Sequence, residues 1–417
     1  MKHYQYIIIW AGPAGSVLWS YLKQQWVDNI CIIEKDIFPR HHIGESLQPD
    51  VVKVFDTLGL DRDLLSRFPK KYGAIYKWGK YQERWSVLYD KILDTAWEKG
   101  ETIDISHTIE YGYNVDRKFF DKILLDSFLW NWGELIYHSV NDIEIEWDTI
   151  TGLILENHER ITGDFIIDAS GQNSILAQKF WLKTYDTLFK NSAIYGYYSG
   201  YTWLDSLLGK DFQYIETLGD CWYWWIPVSY DLVSVGIVYN SARKYTQKDY
   251  FSRVQETEIW SSIEWSVFSD SIGNPTDKCY HISDWSFISK RLFGSNWCLL
   301  GDAAGFVDPI LSGGVSFAME KAIFLWKLLR LFPQLSEYQR KELFSAYERK
   351  YKSDIINYLK MAHAWYEQGN AKQTWIELSW GKTWFIDSIS WGKRFFEQNK
   401  IFQEWQNQKI MSKLMRE

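Results

Sequence analysis

The stretch Tyr6-Ile7-Ile8-Ile9-Trp10-Ala11-Gly12-Pro13-Ala14-Gly15 decides how the chain is read. Its apolar run predicts a buried strand, the turn after it leads into a helical pattern to about Gln25, and Ile30 to Ile33 predicts a second strand that delivers Glu34. This is the order of a dinucleotide-binding unit. Gly12, Ala14 and Gly15 let the backbone approach a phosphate, and Glu34, nineteen residues after the last glycine, is placed to take the hydroxyls of an adenosine ribose. A single Gly-rich turn is a weak signal, so its weight depends on the rest of the chain.

A second stretch has the same character. In LLGDAAGFVDPILSGGVSFAM, Leu299 to Met319, a short apolar strand delivers Gly301 and Asp302, whose carboxylate can accept from a chain of sugar-like hydroxyls. Pro309 fixes the approach, and Ser312, Gly313 and Gly314 open a helix running to about Arg330. Free N–H groups and the positive end of the helix dipole then face whatever lies before Ser312, which favours an electron-rich, anionic ring. A third piece, Phe165-Ile166-Ile167-Asp168-Ala169-Ser170-Gly171, reads as another strand ending in a tight turn. A flavin-binding redox enzyme is the expectation.

These three segments, in this order, resemble the FAD-binding fold of the aromatic-hydroxylase superfamily. Within it, Phe38-Pro39-Arg40-His41-His42-Ile43-Gly44-Glu45-Ser46-Leu47-Gln48-Pro49 is similar to a loop of flavin-dependent halogenases, and Trp222-Tyr223-Trp224-Trp225-Ile226-Pro227 fits their WxWxIP signature. The resemblance covers about residues 4 to 330. It implies FAD as cofactor, with Arg40, Gly44, Glu45, Ser46, Arg117 and Asp168 beside it, and Trp222, Trp224, Ile226 and Pro227 on the substrate side. It also implies that reduced FAD, oxygen and halide give hypohalous acid, which a lysine relays or orients. Lys71, in Phe68-Pro69-Lys70-Lys71-Tyr72-Gly73-Ala74-Ile75, matches that lysine on a short K-x-G segment, although a solvated surface is the commoner fate of a lysine. The glutamate that the tryptophan-acting branch carries before its serine is Leu311 here. Relatives acting on phenols, pyrroles or carrier-bound acyl groups also lack it. The scaffold serves hydroxylases and isoprenoid or lipid-chain reductases too, so a simple aromatic hydroxylase or such a reductase is the enzymatic alternative.

One residue departs from the family. Trp10 stands at the position of its first glycine, and an indole there obstructs a pyrophosphate; if it is genuine, a flavin-free binding protein is a further alternative. Trp26, Trp181, Trp297 and Trp326 also stand where relatives usually carry glycine, in a chain with 25 Trp and 26 Gly. The expectation is a code in which UGA specifies glycine, as in some bacterial lineages. A Trp-rich core is the other reading, and it does not explain an indole at a phosphate turn.

The formal charge of −7 and a pI near 5.7, with no basic stripe, argue against a nucleic-acid partner. Four widely spaced cysteines suggest reduced thiols, the first strand leaves no room for a signal peptide, and no apolar run approaches a membrane span, so a cytoplasmic enzyme without integral membrane association is expected. His41-His42 lacks partners at metal-ligand spacing, so no metal is assigned. With one nucleotide unit, reducing equivalents would come from transient NAD(P)H or a separate flavin reductase, and the other partner is a small-molecule substrate. The expected architecture is α/β: a Rossmann-like FAD domain in two parts (1–180, with a β insertion near 71–90, and 293–331), an antiparallel substrate sheet (181–292) and a helical C-terminal segment (332–417).

Overall fold

The computed structural model describes residues 2–24, 27, 29–79, 83–89, 111–129, 134–186, 189–200, 202–203, 211–264 and 267–367. Trp26 and the C-terminal segment beyond Glu367 lie outside them. β1 (Lys2–Ile9), α1 (Pro13–Gln24) and β2 (Ile30–Glu34) open the chain, followed by α2 (Asp50–Leu58), β3 (Lys70–Lys71), β4 (Gly73–Trp78), β5 (Glu83–Leu88) and β6 (Gly112–Tyr113). Next come α3 (Arg117–Leu129), β7 (Glu134–Tyr137), β8 (Val140–Glu146), β9 (Thr149–Leu155), β10 (Arg160–Asp168) and α4 (Ile175–Lys179). The central strands are β11 (Asn191–Ser199), β12 (Phe212–Leu218), β13 (Cys221–Pro227) and β14 (Leu232–Asn240). After α5 (Gln247–Val254) follow β15 (Val267–Ser269), β16 (Tyr280–Ser283), β17 (Trp297–Leu299), α6 (Gly314–Leu329) and α7 (Glu337–Glu367).

The first sheet has the order β7-β2-β1-β10-β9-β8, with β17 also on β10. β7, β2, β1, β10 and β17 pair in parallel, and β8 and β9 close the sheet as an antiparallel meander. Ile7, Ile8, Ile32, Ile166, Ile167, Cys298 and Leu299 are buried, as expected for parallel strands covered on both faces. The tight turn out of β1 depends on Gly15, where an added Cβ would lie 2.0 Å from the carbonyl oxygen of Trp10. Backbone cannot yield as a side chain does. Gly15→Ala is therefore expected to destabilise the fold by about 1–3 kcal/mol, read as a lower urea midpoint with an unchanged slope.

The second sheet has the order β15-β11-β14-β13-β12-β4-β5, with β16 also on β11. All its pairs are antiparallel except β12 with β4. β4 and β5, expected as an insertion in the first region, thus form one end of this sheet. The period-2 alternation of β13 splits its aromatics: Trp222, Trp224 and Ile226 face the main core, whereas Tyr223 and Trp225 pack with Tyr250 and Val254 on the other face. The helix expected after Asp116 is α3, and Asp116 Oδ1 accepts from the Lys118 N–H at 3.0 Å.

α7 buries Phe344, Tyr347, Tyr351, Ile355 and Tyr358 as one stripe. Its tyrosines also hold the loops that precede α6. Tyr347 and Tyr351 donate to the carbonyls of Leu299 (3.1 Å) and Gly301 (2.9 Å), and Tyr358 Oη accepts from the Gly313 N–H at 3.2 Å. Among the described residues, no helix is long and apolar enough to cross a membrane.

Candidate active site

A cleft of about 1270 Å³, its open mouth included, lies between the two sheets. The turn from β1 into α1 contributes Trp10, Gly12, Pro13 and Ala14; the loop before α2 contributes Arg40, Gly44, Glu45 and Ser46; Asp302, Pro309, Ser312 and Gly314 come from the start of α6 and the turns before it. Trp222, Trp224 and Ile226 of β13 form an apolar wall.

Glu34, at the end of β2, is completely buried. Its two oxygens accept from the N–H groups of Ala11 and Asp36, each at 2.9 Å, and burial raises its pKa against the pull of Arg40, 3.8 Å away. Arg40 is itself buried in the cleft wall, and its Nε has no hydrogen-bond partner. Three carboxylates lie around its guanidinium, Glu34 at 3.8 Å and Asp36 and Asp121 each at 4.0 Å. Arg117 grips Asp121 with two bonds (2.7 and 3.0 Å) and donates to the carbonyl of Ile43 at 2.7 Å. Burial pushes the Asp121 carboxyl up, but Arg117 and Arg40 outweigh it and hold the pKa below the usual value. Gly44, at φ 100°, permits this packing, because a Cβ there would lie 2.9 Å from the Arg117 guanidinium.

Two carboxyls sit close to neutrality. Burial raises Asp302 to about 7 despite Arg117, and raises Glu45 to about 7 although Tyr197 donates to it at 2.6 Å. His41 is held neutral, lowered to about 4 by burial, stacked 4.3 Å from Tyr280 and hydrogen-bonded to the Tyr195 hydroxyl at 3.1 Å.

Lys71 is fully buried in β3, behind Ser46, and its ammonium donates to Ser46 Oγ at 2.8 Å. Burial lowers its pKa to about 7, and among the described residues no carboxylate pairs with it. The folded state thus releases this proton at a lower pH than the unfolded chain, whose lysine titrates near 10.4. Between about pH 7 and 10 only the unfolded state keeps the proton, so rising pH favours folding. The protein is expected to gain stability relative to Lys71→Met in that window, by up to about 1.4 kcal/mol per pH unit, and to show no such slope below it, as measured by urea unfolding at stepped pH.

Several expected residues lie just outside the cleft surface. Glu34 and Lys71, both fully buried, are not among its lining residues; Gly15 and Gly301 shape its turns, Gly313 faces a smaller pocket, and Pro227 has the parity of the opposite face of β13. Asp168 stands apart: it is fully buried and accepts from the N–H groups of Ser170 and Leu176, which makes it the brace of its own turn. Sequence reasoning missed Gln213, Ile215, Ala193, Ile282 and Trp285 in the cleft wall, and Tyr366, which accepts from Trp222 Nε1 at 2.6 Å and donates to Asp308 at 3.2 Å. The alternation of Gln213 and Ile215 along β12 is a signal that could have found two of them. Among the described residues, no three His, Cys, Asp or Glu side chains gather in a way that could hold a metal ion.

The polar groups of Arg40, Asp302 and Ser312 in the cleft lining suit an FAD. A Cβ at Gly12 would meet nothing nearer than Arg40 at 3.9 Å, so the backbone there is open to a phosphate. Position 10 does not fit. The Trp10 indole lines the cleft 5.3 Å from the Arg40 guanidinium and 5.5 Å from the Lys35 ammonium, in the space beside the turn where a pyrophosphate would run.

A parallel sheet with this turn, this acid and this cleft defines a dinucleotide-binding flavoprotein. The tryptophan halogenase family model matches residues 5–99 and 96–407, and the chain belongs to that family. It is 28% identical over 342 residues to the 1H-pyrrole-2-carbonyl-(peptidyl-carrier protein) chlorinase of Pseudomonas fluorescens, covering 76% of this chain and 74% of that one. It is 26% identical over 389 residues to the tryptophan 2-halogenase of Chondromyces crocatus, covering 89% and 69%. The myxobacterial chondrochloren halogenase, described as a variant of the FAD-dependent halogenases, matches the structure with a TM-score of 0.74 and 26% identity over 88% of this chain and 83% of its own. FAD is the cofactor, and the protein is a halogenase-like oxidoreductase.

Proposed function

We propose that the enzyme halogenates an electron-rich aromatic ring, pyrrole or phenol in character, with Lys71 delivering the oxidised halogen. The carrying observation is a fully buried lysine, bonded to Ser46 at the edge of a cleft whose far wall is Trp222, Trp224 and Ile226. Reduced FAD, when bound, supplies the electrons that activate oxygen for oxidation of halide. Glu34, Arg40 and Asp302 would hold its ribose, pyrophosphate and ribityl groups, with Gly12, Ala14, Gly44, Arg117, Pro309, Ser312 and Gly314 shaping the cradle and Glu45 and Ser46 beside it. The apolar wall would limit water on the substrate side, and Lys71 would act on a hypohalous species through or beside Ser46. At the ring, a C–X bond replaces a C–H bond and a proton leaves.

Leu311 and the similarity to a carrier-bound pyrrole chlorinase favour a pyrrole or phenol over tryptophan. In this division of labour residues 1–180 and 293–331 hold the cofactor, and 181–292, joined by β4 and β5, hold the substrate. Reduced flavin would come from a separate reductase or transient NAD(P)H, in a cytoplasmic setting suited to the free thiols of Cys31, Cys221, Cys279 and Cys298.

The test supplies reduced FAD, oxygen and chloride or bromide to enzyme with glycine at position 10, together with a panel of pyrroles and phenols, and follows product mass. A halide-dependent mass gain is expected. Anaerobic saturation of a prenyl double bond without halide dependence would falsify this reading in favour of a reductase.

A further inference from the structure

Three tryptophans adopt a backbone that bulky side chains avoid. Trp10, Trp147 and Trp181 have φ of 86°, 58° and 55°, a region in which a Cβ crowds the neighbouring carbonyl and non-glycine residues are mostly Asn, Asp or His. Among the described residues eight non-glycine positions have positive φ, and three of them are tryptophan, although tryptophan makes up only 25 of 417 residues.

Each position has its own geometric reason to be glycine. Trp181 follows α4 and its cap Phe180; its N–H donates to the Gln178 carbonyl at 3.1 Å, and the Leu182 N–H donates to that of Ala177 at 2.8 Å. Those two bonds make a Schellman motif, with Trp181 at the left-handed position where glycine ends a helix. Trp147 is the first residue of the two-residue loop joining β8 and β9, whose flanking residues Glu146 and Thr149 pair. Positive φ at that position and not at Asp148 is the pattern of a II′ hairpin turn, which takes glycine there. Trp10 occupies the turn out of β1, with its indole against Gly171 and across the nucleotide cradle. Nor does packing account for the indoles at the other two positions: Trp147 is 95% exposed and Trp181 87%.

The remaining aromatics provide the contrast. Trp224 and Trp225 lie buried in β13 with ordinary φ, and Trp297 is fully buried, stacked 4.7 Å from Phe180. Trp326, in α6, packs 4.7 Å from Tyr21. The backbone gives no reason for glycine at any of these four.

We propose that residues 10, 147 and 181 are glycine in the protein as its source makes it, the codon at these positions being read there as glycine, and that the FAD pyrophosphate occupies the space of the indole at position 10. This goes beyond the halogenation reading and does not depend on it.

Peptide mass spectrometry of the protein isolated from its source tests the assignment directly. Glycine at all three positions, with tryptophan at 224 and 225, is the expected result; tryptophan at any of the three overturns it. The gene gives a second readout: one codon shared by positions 10, 147 and 181 but absent from 224 and 225 is expected, and the same codon at all five overturns it. In the recombinant chain, Trp147→Gly and Trp181→Gly should each raise the melting temperature, because they relieve a left-handed tryptophan and bare no core. Trp225→Gly should lower it. Trp10→Gly should tighten FAD binding at least tenfold by fluorescence titration, and unchanged affinity would overturn the assignment of that space.

Discussion

Replacing Lys71 by methionine in enzyme with glycine at position 10 is expected to reduce halogenated product by about 10²–10³-fold, while reduced FAD is still consumed by oxygen. Methionine nearly matches the lysine in length and suits a fully buried site, so the variant is expected to fold. It lacks the donor that Lys71 presents to Ser46 and the amine on which an oxidised halogen could be held or oriented. The two readouts separate the roles. Product and flavin oxidation falling together would mark Lys71 as a structural support, whereas product lost with flavin oxidation intact places it after the oxygen step. Ser46→Ala, which removes only the hydroxyl acceptor, is expected to lie between the wild type and Lys71→Met.

Asp302→Ala and Glu34→Ala are each expected to weaken FAD binding by about 1–3 kcal/mol, or roughly 5- to 150-fold, in isothermal titration with the Trp10→Gly protein. Glu34 is fully buried and its oxygens hold the N–H groups of Ala11 and Asp36, so its loss frees the turn it organises beside the cleft. Asp302 carries a different burden. Its carboxyl, raised to about 7 by burial, lines the cleft and could hydrogen-bond a ribityl hydroxyl in either protonation state. Asp302→Asn should therefore retain more affinity than Asp302→Ala. Unchanged affinity in both alanine variants would remove these residues from the cofactor site.

The sequence made the cofactor half of the protein legible because that half is local. A strand, a turn, a helix and an acid lie within Tyr6 to Glu34, and each carries its own pattern of periodicity or small residues. Lys71 was found by a short match, but its burial was not readable: β3 is two residues long and has no period, and its partner Gly112 is supplied from far along the chain. The parallel pairing of β4 with β12 joins segments more than a hundred residues apart, so β4 and β5 read as an insertion although they are strands of the second sheet. Asp168, matched to the cofactor site by resemblance, holds the N–H groups of Ser170 and Leu176, a local role that no pattern in the sequence showed. Trp147 gave no signal because Trp-Asp is not a hairpin sequence, whereas Gly-Asp in its place would have been.

The tyrosines of α7 have a consequence for the order in which the enzyme comes together on the ribosome. The residues that line the cleft, the last of them Ala318, are synthesised before Tyr347, Tyr351, Tyr358 and Tyr366. Yet those tyrosines fasten Leu299, Gly301, Gly313, Asp308 and Trp222. The turns before α6 and the strand that carries Trp222 therefore stay unlatched until α7 has left the exit tunnel.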